Sequence, residues 1–265
     1  MTPLFFEYGD VKAAWYKTGK GKPLVILHGW GSSSDVMMPV ARQLQDIRTC
    51  CLIDFPGFGK SHEPPAAWGV DNYTDLVENF ITKTFPDEKV DLLAHSYGAR
   101  VTLKLLAKKS FASRLDKVVI TGGAGLKPKR KPVYFLKKYT AKILKMPFYL
   151  LPQPLRSKGL DRLRKTGIWK KLGSSDYQKL SGVMRETFVK SVNEYLDSLL
   201  QDIQHELLLI WGENDTATPL EQGRRMEKGL KNGVLIVAEN AGHYAFLDQP
   251  AQFAAIIKAY LEPEK

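Results

Sequence analysis

The chain has 265 residues, 44% of them hydrophobic and 11% aromatic. That is enough apolar material for a substantial core, which excludes a disordered chain, and the length suits one large α/β domain or a domain carrying an insertion. The net charge of +11 is regional: residues 125–205 hold 18 Lys and Arg against 6 Asp and Glu, and the remainder holds 21 against 22.

The opening Met1-Thr2-Pro3-Leu4-Phe5-Phe6-Glu7 lacks a basic region followed by a long apolar stretch. Nowhere do about 18 apolar residues run together, so neither export nor a membrane span is expected. Cys50 and Cys51 are adjacent in a strand-like run. Neighbours in a strand face opposite ways and do not bridge, so a reducing, cytoplasmic compartment is expected.

In chain order, residues 4–8 and 12–18 read as two strands around the turn Gly9-Asp10. Pro23 to Leu27 is a buried-strand run, and Asp35 is expected to cap a helix reaching about Gln45. Thr49 to Ile53 is the next strand, ended by the glycine-rich turn Asp54 to Ser61, and Asp71 to Thr84 has helical period. Val90 to Ala94 and Val118 to Thr121 are further strands. From Gly125 to about Gln204 no strand-like run appears. Tyr134–Met146 and Ser175–Leu200 read as helices there, separated by a stretch with Pro147, Pro152 and Pro154. The alternation resumes with strands at 207–211 and 234–237 and helices near 219–230 and 250–261. The expected fold is therefore α/β, a mainly parallel sheet with helices on both faces. Residues 1–124 and 206–265 would form the core domain and 125–205 a helical lid insertion.

The chemistry centres on residues 90–99. An apolar strand ends at Ala94, a helical pattern starts at once, and Ser96 has a small residue two before it and Gly98 two after. That is what a sharp strand–turn–helix with a strained, outward serine requires. A serine hydroxyl is a poor nucleophile until a base takes its proton, and the base needs an orienting acid. Asp215 follows the strand ending in Trp211, and His243 follows the strand ending in Val237. All three residues fall just past the carboxyl ends of strands, where open α/β sheets bind ligands.

Together these segments resemble the α/β-hydrolase family over nearly the whole chain. His28-Gly29-Trp30-Gly31 matches its oxyanion loop, Asp54 to Ser61 its D-x-P-G-x-G-x-S turn, and residues 94–99 its nucleophile elbow. Gly212-x-x-Asp215 and Gly242-His243 match its acid and histidine motifs in the family's order. The resemblance implies Ser96 as nucleophile, His243 as base and Asp215 as acid, with the backbone N–H groups of Trp30 and Tyr97 as oxyanion donors. Ala94 stands where the family's first elbow glycine is usual, and Met37 and Met38 where relatives often carry an aromatic.

Plainer readings stand beside these. Ser96 could be a helix N-cap. His28 and His95 flank the site and are read as ties between loops, while His62 and His205 read as surface residues. No His, Cys or carboxylate spacing suits a metal, and Gly122-Gly123-Ala124-Gly125 lacks the dinucleotide spacing, so no cofactor is expected. The expected activity is hydrolysis of a small-molecule carboxylic ester through an acyl-enzyme. C–C bond, thioester or amide hydrolysis is the alternative within the fold, and a non-catalytic ligand-binding scaffold the alternative outside it. The acyl pocket would be shaped by inward lid faces bearing Phe135, Tyr139, Phe188, Val192 and Tyr195, with His28 beneath. The basic lid, with a stripe of Lys138, Lys142 and Lys145, is either a solvated face or a dock for an acidic carrier protein or an anionic membrane surface; nucleic acid ranks last. Among family members the chain weakly resembles carboxylesterases acting on pimeloyl-carrier-protein methyl ester.

Overall fold

A computed structural model describes residues 1–129, 132–164, 166–167, 180 and 182–262, with the side chains of residues 133, 134, 137, 138, 161 and 164 left aside. In chain order the elements are β1 (Leu4–Tyr8), β2 (Val11–Gly19), β3 (Pro23–Leu27), α1 (Ser34–Leu44), β4 (Thr49–Ile53), α2 (Val70–Thr84), β5 (Val90–His95), α3 (Gly98–Ala107), α4 (Lys109–Ala112) and β6 (Leu115–Thr121). Then come α5 (Pro132–Tyr149), α6 (Leu155–Arg164), α7 (Gly182–Val192), a 3₁₀ turn (Asp197–Asp202), β7 (Glu206–Gly212), α8 (Leu220–Gly229), β8 (Asn232–Ala238), α9 (Ala245–Asp248) and α10 (Pro250–Leu261).

The strands form one sheet in the order β1-β2-β4-β3-β5-β6-β7-β8. β1 and β2 join antiparallel, and β3 to β8 run parallel. Alternate residues of each central strand enter different cores, as a sheet covered on both faces demands. Val25, Leu27, Cys51 and Ile53 belong to the core that also takes in α2, α3 and α8, whereas Leu24, Ile26, Cys50 and Leu52 belong to the one that takes in α1 and α10. Met37 and Met38 belong to the second core, so their unbranched chains fill space beneath α1. Cys50 and Cys51 are buried and unbridged. Burial pushes both thiols up to about 12, so neither carries a thiolate at neutral pH.

Four expectations shift. The cap of α1 is Ser33, whose hydroxyl accepts from the Asp35 N–H at 3.3 Å, while Asp35 sits in the first turn. β6 begins three residues earlier than its apolar run. α6 falls after the Pro-containing stretch, between the two expected helices, where no element is expected. Of the expected 175–200 helix, residues 182–192 form α7, and residues 175–179 and 181 lie outside the described residues.

Between β6 and β7 the described residues contribute helices and no strand. The returning chain rejoins the core before β7, since Leu196, Leu200 and Ile203 are buried in the cluster shared by β5 and β6. At the opposite end of the sheet from the strand tips, Asp91 is fully enclosed. It accepts from Lys22 Nζ at 2.6 Å, Arg48 Nε at 2.8 Å and the Lys117 N–H at 3.1 Å. Those donors are what allow a carboxylate in an otherwise apolar strand. Among the described residues no helix is long and apolar enough to cross a membrane.

Candidate active site

Ser96 sits between β5 and α3 with φ +51°, a left-handed conformation that costs a non-glycine residue on the order of 1–2 kcal/mol. The turn is locked from three sides. The Ser96 N–H donates to the Thr121 carbonyl at 3.1 Å, and its own carbonyl accepts from Ala99 at 3.1 Å and Ala124 at 2.9 Å. The strain thus belongs to a turn over-determined by β6 and α3, and it aims the hydroxyl outward.

Asp215 and His243 arrive on the loops after β7 and β8. Those loops cross where a Cβ on Gly212 would lie 2.1 Å from the Gly242 carbonyl, so only glycine fits. The indole N–H of Trp211 donates to the Thr218 carbonyl at 2.7 Å, closing the Asp215 loop. His243 Nδ1 lies 2.8 Å from Asp215 Oδ2, and His243 Nε2 lies 3.0 Å from Ser96 Oγ. The three expected residues are brought into one hydrogen-bonded chain.

Asp215 also accepts from the N–H groups of Ala217 and Thr218, both at 2.9 Å. The Thr218 hydroxyl lies 2.9 Å from Asp215 Oδ2 and 2.8 Å from the Gly122 carbonyl. Burial alone would raise the Asp215 pKa, but the bond to His243, its charge and the Thr218 donors hold it below the usual carboxylate range. An ionised carboxylate only accepts, so the His243 Nδ1 carries a proton, and in the neutral ring Nε2 then presents its lone pair to Ser96. That is the state a general base needs. No motif in the sequence points to Thr218, although Asp215-Thr216-Ala217-Thr218 carries the composition of an Asx or ST turn.

The loop 28–31 faces the same turn. His28 is enclosed, 1% exposed, with Nδ1 2.7 Å from the Gly29 carbonyl and Nε2 accepting from the Phe55 N–H at 3.0 Å. Burial lowers its pKa, and both nitrogens are occupied by the backbone, so it ties loops and does not line a pocket. Asp54 accepts from the Ser34 N–H at 2.7 Å and the Lys60 N–H at 2.9 Å, while Ser61 Oγ accepts from Ala14 at 2.7 Å and donates to the Asp54 carbonyl at 2.6 Å. This accounts for the Asp and Ser at the ends of that turn. Among the described residues the backbone N–H groups of Trp30 and Tyr97 donate to no other group.

α7 covers this region. The Trp30 ring lies 5.2 Å from Phe188, the Tyr97 hydroxyl is 3.0 Å from Ser191 Oγ, and Arg100 donates to the Val192 and Glu194 carbonyls. Of the expected pocket residues Phe188 is thus beside Trp30. Tyr195 borders an open cleft of about 690 Å³ with Lys127, Lys129 and Arg225. Phe135 and Tyr139 stand on the outer side of α5, 45% and 58% exposed, rather than on an inward face. Helical spacing shows that they share a face but not which way the face turns. The Lys138 side chain lies outside the described residues.

His95 is 1% exposed, its ring centroid 4.7 Å from that of His243, and its Nε2 is 3.0 Å from the His243 carbonyl. Burial first, then the nearby His243, pushes its pKa down from 6.5 to about 3. Below pH 6.5 the unfolded chain binds a proton that folded His95 refuses, so its contribution is intact above that pH and falls as pH drops toward 3. At pH 5 the loss is about 2 kcal/mol. The thermal midpoint is therefore expected to be lower at pH 5 than at pH 7.5. His95→Gln, which keeps an N–H for the His243 carbonyl, should flatten that dependence. An unchanged slope would show that the titration arises elsewhere.

With this geometry in place, a family model described as the alpha/beta hydrolase fold matches residues 22–250. The chain belongs to the α/β-hydrolase family. This α/β-hydrolase is 23% identical to a 2-hydroxy-6-oxo-2,4-heptadienoate hydrolase of Pseudomonas putida, over 97% of this chain and 95% of that one. Among solved structures it is similar to an esterase from Exiguobacterium antarcticum, with TM-score 0.73, 21% identity and coverage of 98% and 99%. It is also similar to a bacterial membrane phospholipase A, with TM-score 0.74, 20% identity and coverage of 98% and 85%. At these identities the structural likeness establishes the fold.

Proposed function

We propose that this α/β-hydrolase is a serine hydrolase of carboxylic esters. The observation that carries the reading is the Ser96–His243–Asp215 chain, at 3.0 and 2.8 Å, built on a strained serine. Ser96 Oγ attacks the ester carbonyl as its proton passes to His243 Nε2. The oxyanion that forms takes hydrogen bonds from the Trp30 and Tyr97 N–H groups, each such donor contributing about 10²–10³ in rate. Collapse of the tetrahedral species expels the alcohol, which takes the proton from His243. Water, deprotonated by His243, then attacks the acyl-enzyme and releases the acid, restoring Ser96.

Trp30, Phe58 and Phe188 make an aromatic wall beside Tyr97, with ring centroids 4.9 to 5.2 Å from Trp30, which suits an apolar acyl group. Residues 125–205 act as its lid. The two unbridged cysteines suit a cytoplasmic enzyme.

A second reading has one observation in its favour. The relative from Pseudomonas putida is named as the hydrolase of a 2-hydroxy-6-oxo dienoate, so this triad could cleave such a compound at a C–C bond. Fluorophosphonate labelling followed by peptide mass analysis tests both readings, since each requires an adduct on Ser96 at neutral pH. Absence of the adduct would leave a non-catalytic scaffold. Turnover of p-nitrophenyl esters of graded chain length, set against 2-hydroxy-6-oxo dienoates and acyl thioesters, then chooses the bond. The ester reading expects the highest kcat/KM within the ester series.

A further inference from the structure

Of the seventeen large hydrophobic side chains exposed among the described residues, nine fall between Phe135 and Leu155, while α2, α3 and α10 contribute none. The surplus is therefore local to the helical hairpin α5–α6. The hairpin does have a packed side. A Cβ on Gly159 would lie 2.4 Å from the Phe148 ring, so the two helices meet closely there. Thr140, Ala141, Leu144 and Phe148 on that side of α5 are partly covered.

At about 100° per residue, Phe135, Tyr139, Ile143 and Met146 make one stripe on the other side, continued by Leu150 just past the helix end. Ile143 is 65% exposed and Leu150 88%. Lys142 falls within this stripe and is exposed. The surrounding sequence is strongly cationic, since residues 127–171 hold 15 Lys and Arg against Asp161 alone.

An apolar stripe carrying an exposed lysine, within so cationic a segment, is the pattern of a helix lying in a lipid headgroup region. Its leucines sink toward the acyl chains, its lysines reach out to phosphates, and tyrosine hydroxyls stay at the wet boundary. We propose that the outer face of the α5–α6 hairpin docks this protein onto an anionic lipid bilayer, lying on it without crossing it. A second copy of the chain is the wrong occupant, because it would bring an equally cationic face against the first. A folded acidic protein would satisfy the charge but needs directional polar contacts. Apart from tyrosine hydroxyls, α5 offers only Thr140 as a neutral polar side chain, and its hydroxyl donates to the Leu136 carbonyl at 2.9 Å. A bilayer asks for apolar depth and charge alone. The docking is independent of the hydrolase reading, and binding can be measured without turnover.

The test is flotation of the full-length protein with vesicles of phosphatidylcholine alone and with roughly one third phosphatidylglycerol. Binding to the anionic vesicles is expected to be at least about tenfold stronger at low salt and to weaken steeply toward about 0.5 M NaCl. Ile143→Asp/Leu150→Asp should abolish it, and Lys142→Glu/Lys158→Glu should weaken it at least about fivefold through lost charge attraction. All four positions are exposed, so both variants should keep the wild-type thermal midpoint, which guards against misfolding as the cause. Equal binding to both vesicle types, or none to the anionic ones, overturns the proposal. So does capture by an acidic acyl carrier protein without vesicle binding, or a concentration-dependent dimer that Leu150→Asp dissolves.

Discussion

Ser96→Ala and His243→Ala are each expected to lower kcat toward a short p-nitrophenyl ester by about 10⁵–10⁶-fold, with the double variant losing little more. The non-additivity is the diagnostic part. His243 Nε2, 3.0 Å from Ser96 Oγ, has a function only if the serine is there to be deprotonated, and the serine is inert without it. Residual catalysis should then come from binding and from the Trp30 and Tyr97 N–H groups. Asp215→Asn is expected to keep the fold, because the remaining amide oxygen can still accept from the Ala217 and Thr218 N–H groups. Its amide group would face His243 Nδ1 as a donor and force the ring into the other tautomer. The proton would then sit on Nε2, pointing at Ser96, and turnover should fall by about 10⁴-fold. Steady-state kinetics on the three single variants and the double decides the matter. Full activity in Asp215→Asn would mean that the acid lies elsewhere, and β6 offers no carboxylate among Thr121, Gly122, Gly123 and Ala124 to replace it.

Much of this site was legible because strand ends are marked twice in the sequence. An apolar run such as Val90 to Ala94 fixes where a strand stops, and the residue types just beyond it announce a turn. In a parallel sheet all such ends lie along one edge, so Ser96, Asp215 and His243 could be brought near one another without any knowledge of side-chain contacts. What stayed hidden depends on contacts between distant segments. Asp54 ties Ser34 to Lys60, and Thr218 spans Asp215 and Gly122, through bonds whose partners no local pattern reveals. α6 is not legible because Leu155 to Arg164 is rich in cations and has too few apolar residues to show a period. The direction of the Phe135–Tyr139 face is hidden for a related reason. Periodicity groups residues on a face, and only the neighbours decide whether that face is covered.

The turn after β5 also yields the largest effect expected on folding. Gly98 opens α3 directly beneath β3, and a Cβ there would lie 2.8 Å from the Leu27 carbonyl oxygen and 2.9 Å from its Cβ. Those atoms cannot give way cheaply, because β3 is a central strand paired on one side with β4 and on the other with β5. Overpacking of this kind, which forces off-rotamer side chains and backbone shifts, costs about 1–3 kcal/mol and occasionally more. Here the neighbour is backbone, so the upper end applies even to the single methyl of Gly98→Ala. That variant is expected to lose about 6–12 °C of thermal midpoint, given about 2–4 °C per kcal/mol in a domain of this size. It should also lose activity, because relief of the clash moves the start of α3 and with it Ser96, two residues upstream, relative to His243. Gly98→Val adds two more methyl groups to the same contact and should yield little soluble protein. Gly31→Ala is the control: φ is +71° but, among the described residues and apart from its chain neighbours, no atom lies within 4 Å of the added Cβ, so it carries backbone strain without a clash. Its cost should be about 1–2 kcal/mol. Expression level, thermal midpoint and ester turnover measured on the three variants separate clash from strain. A soluble and fully active Gly98→Val protein would show that the helix behind Ser96 does not approach β3 as closely as this arrangement requires.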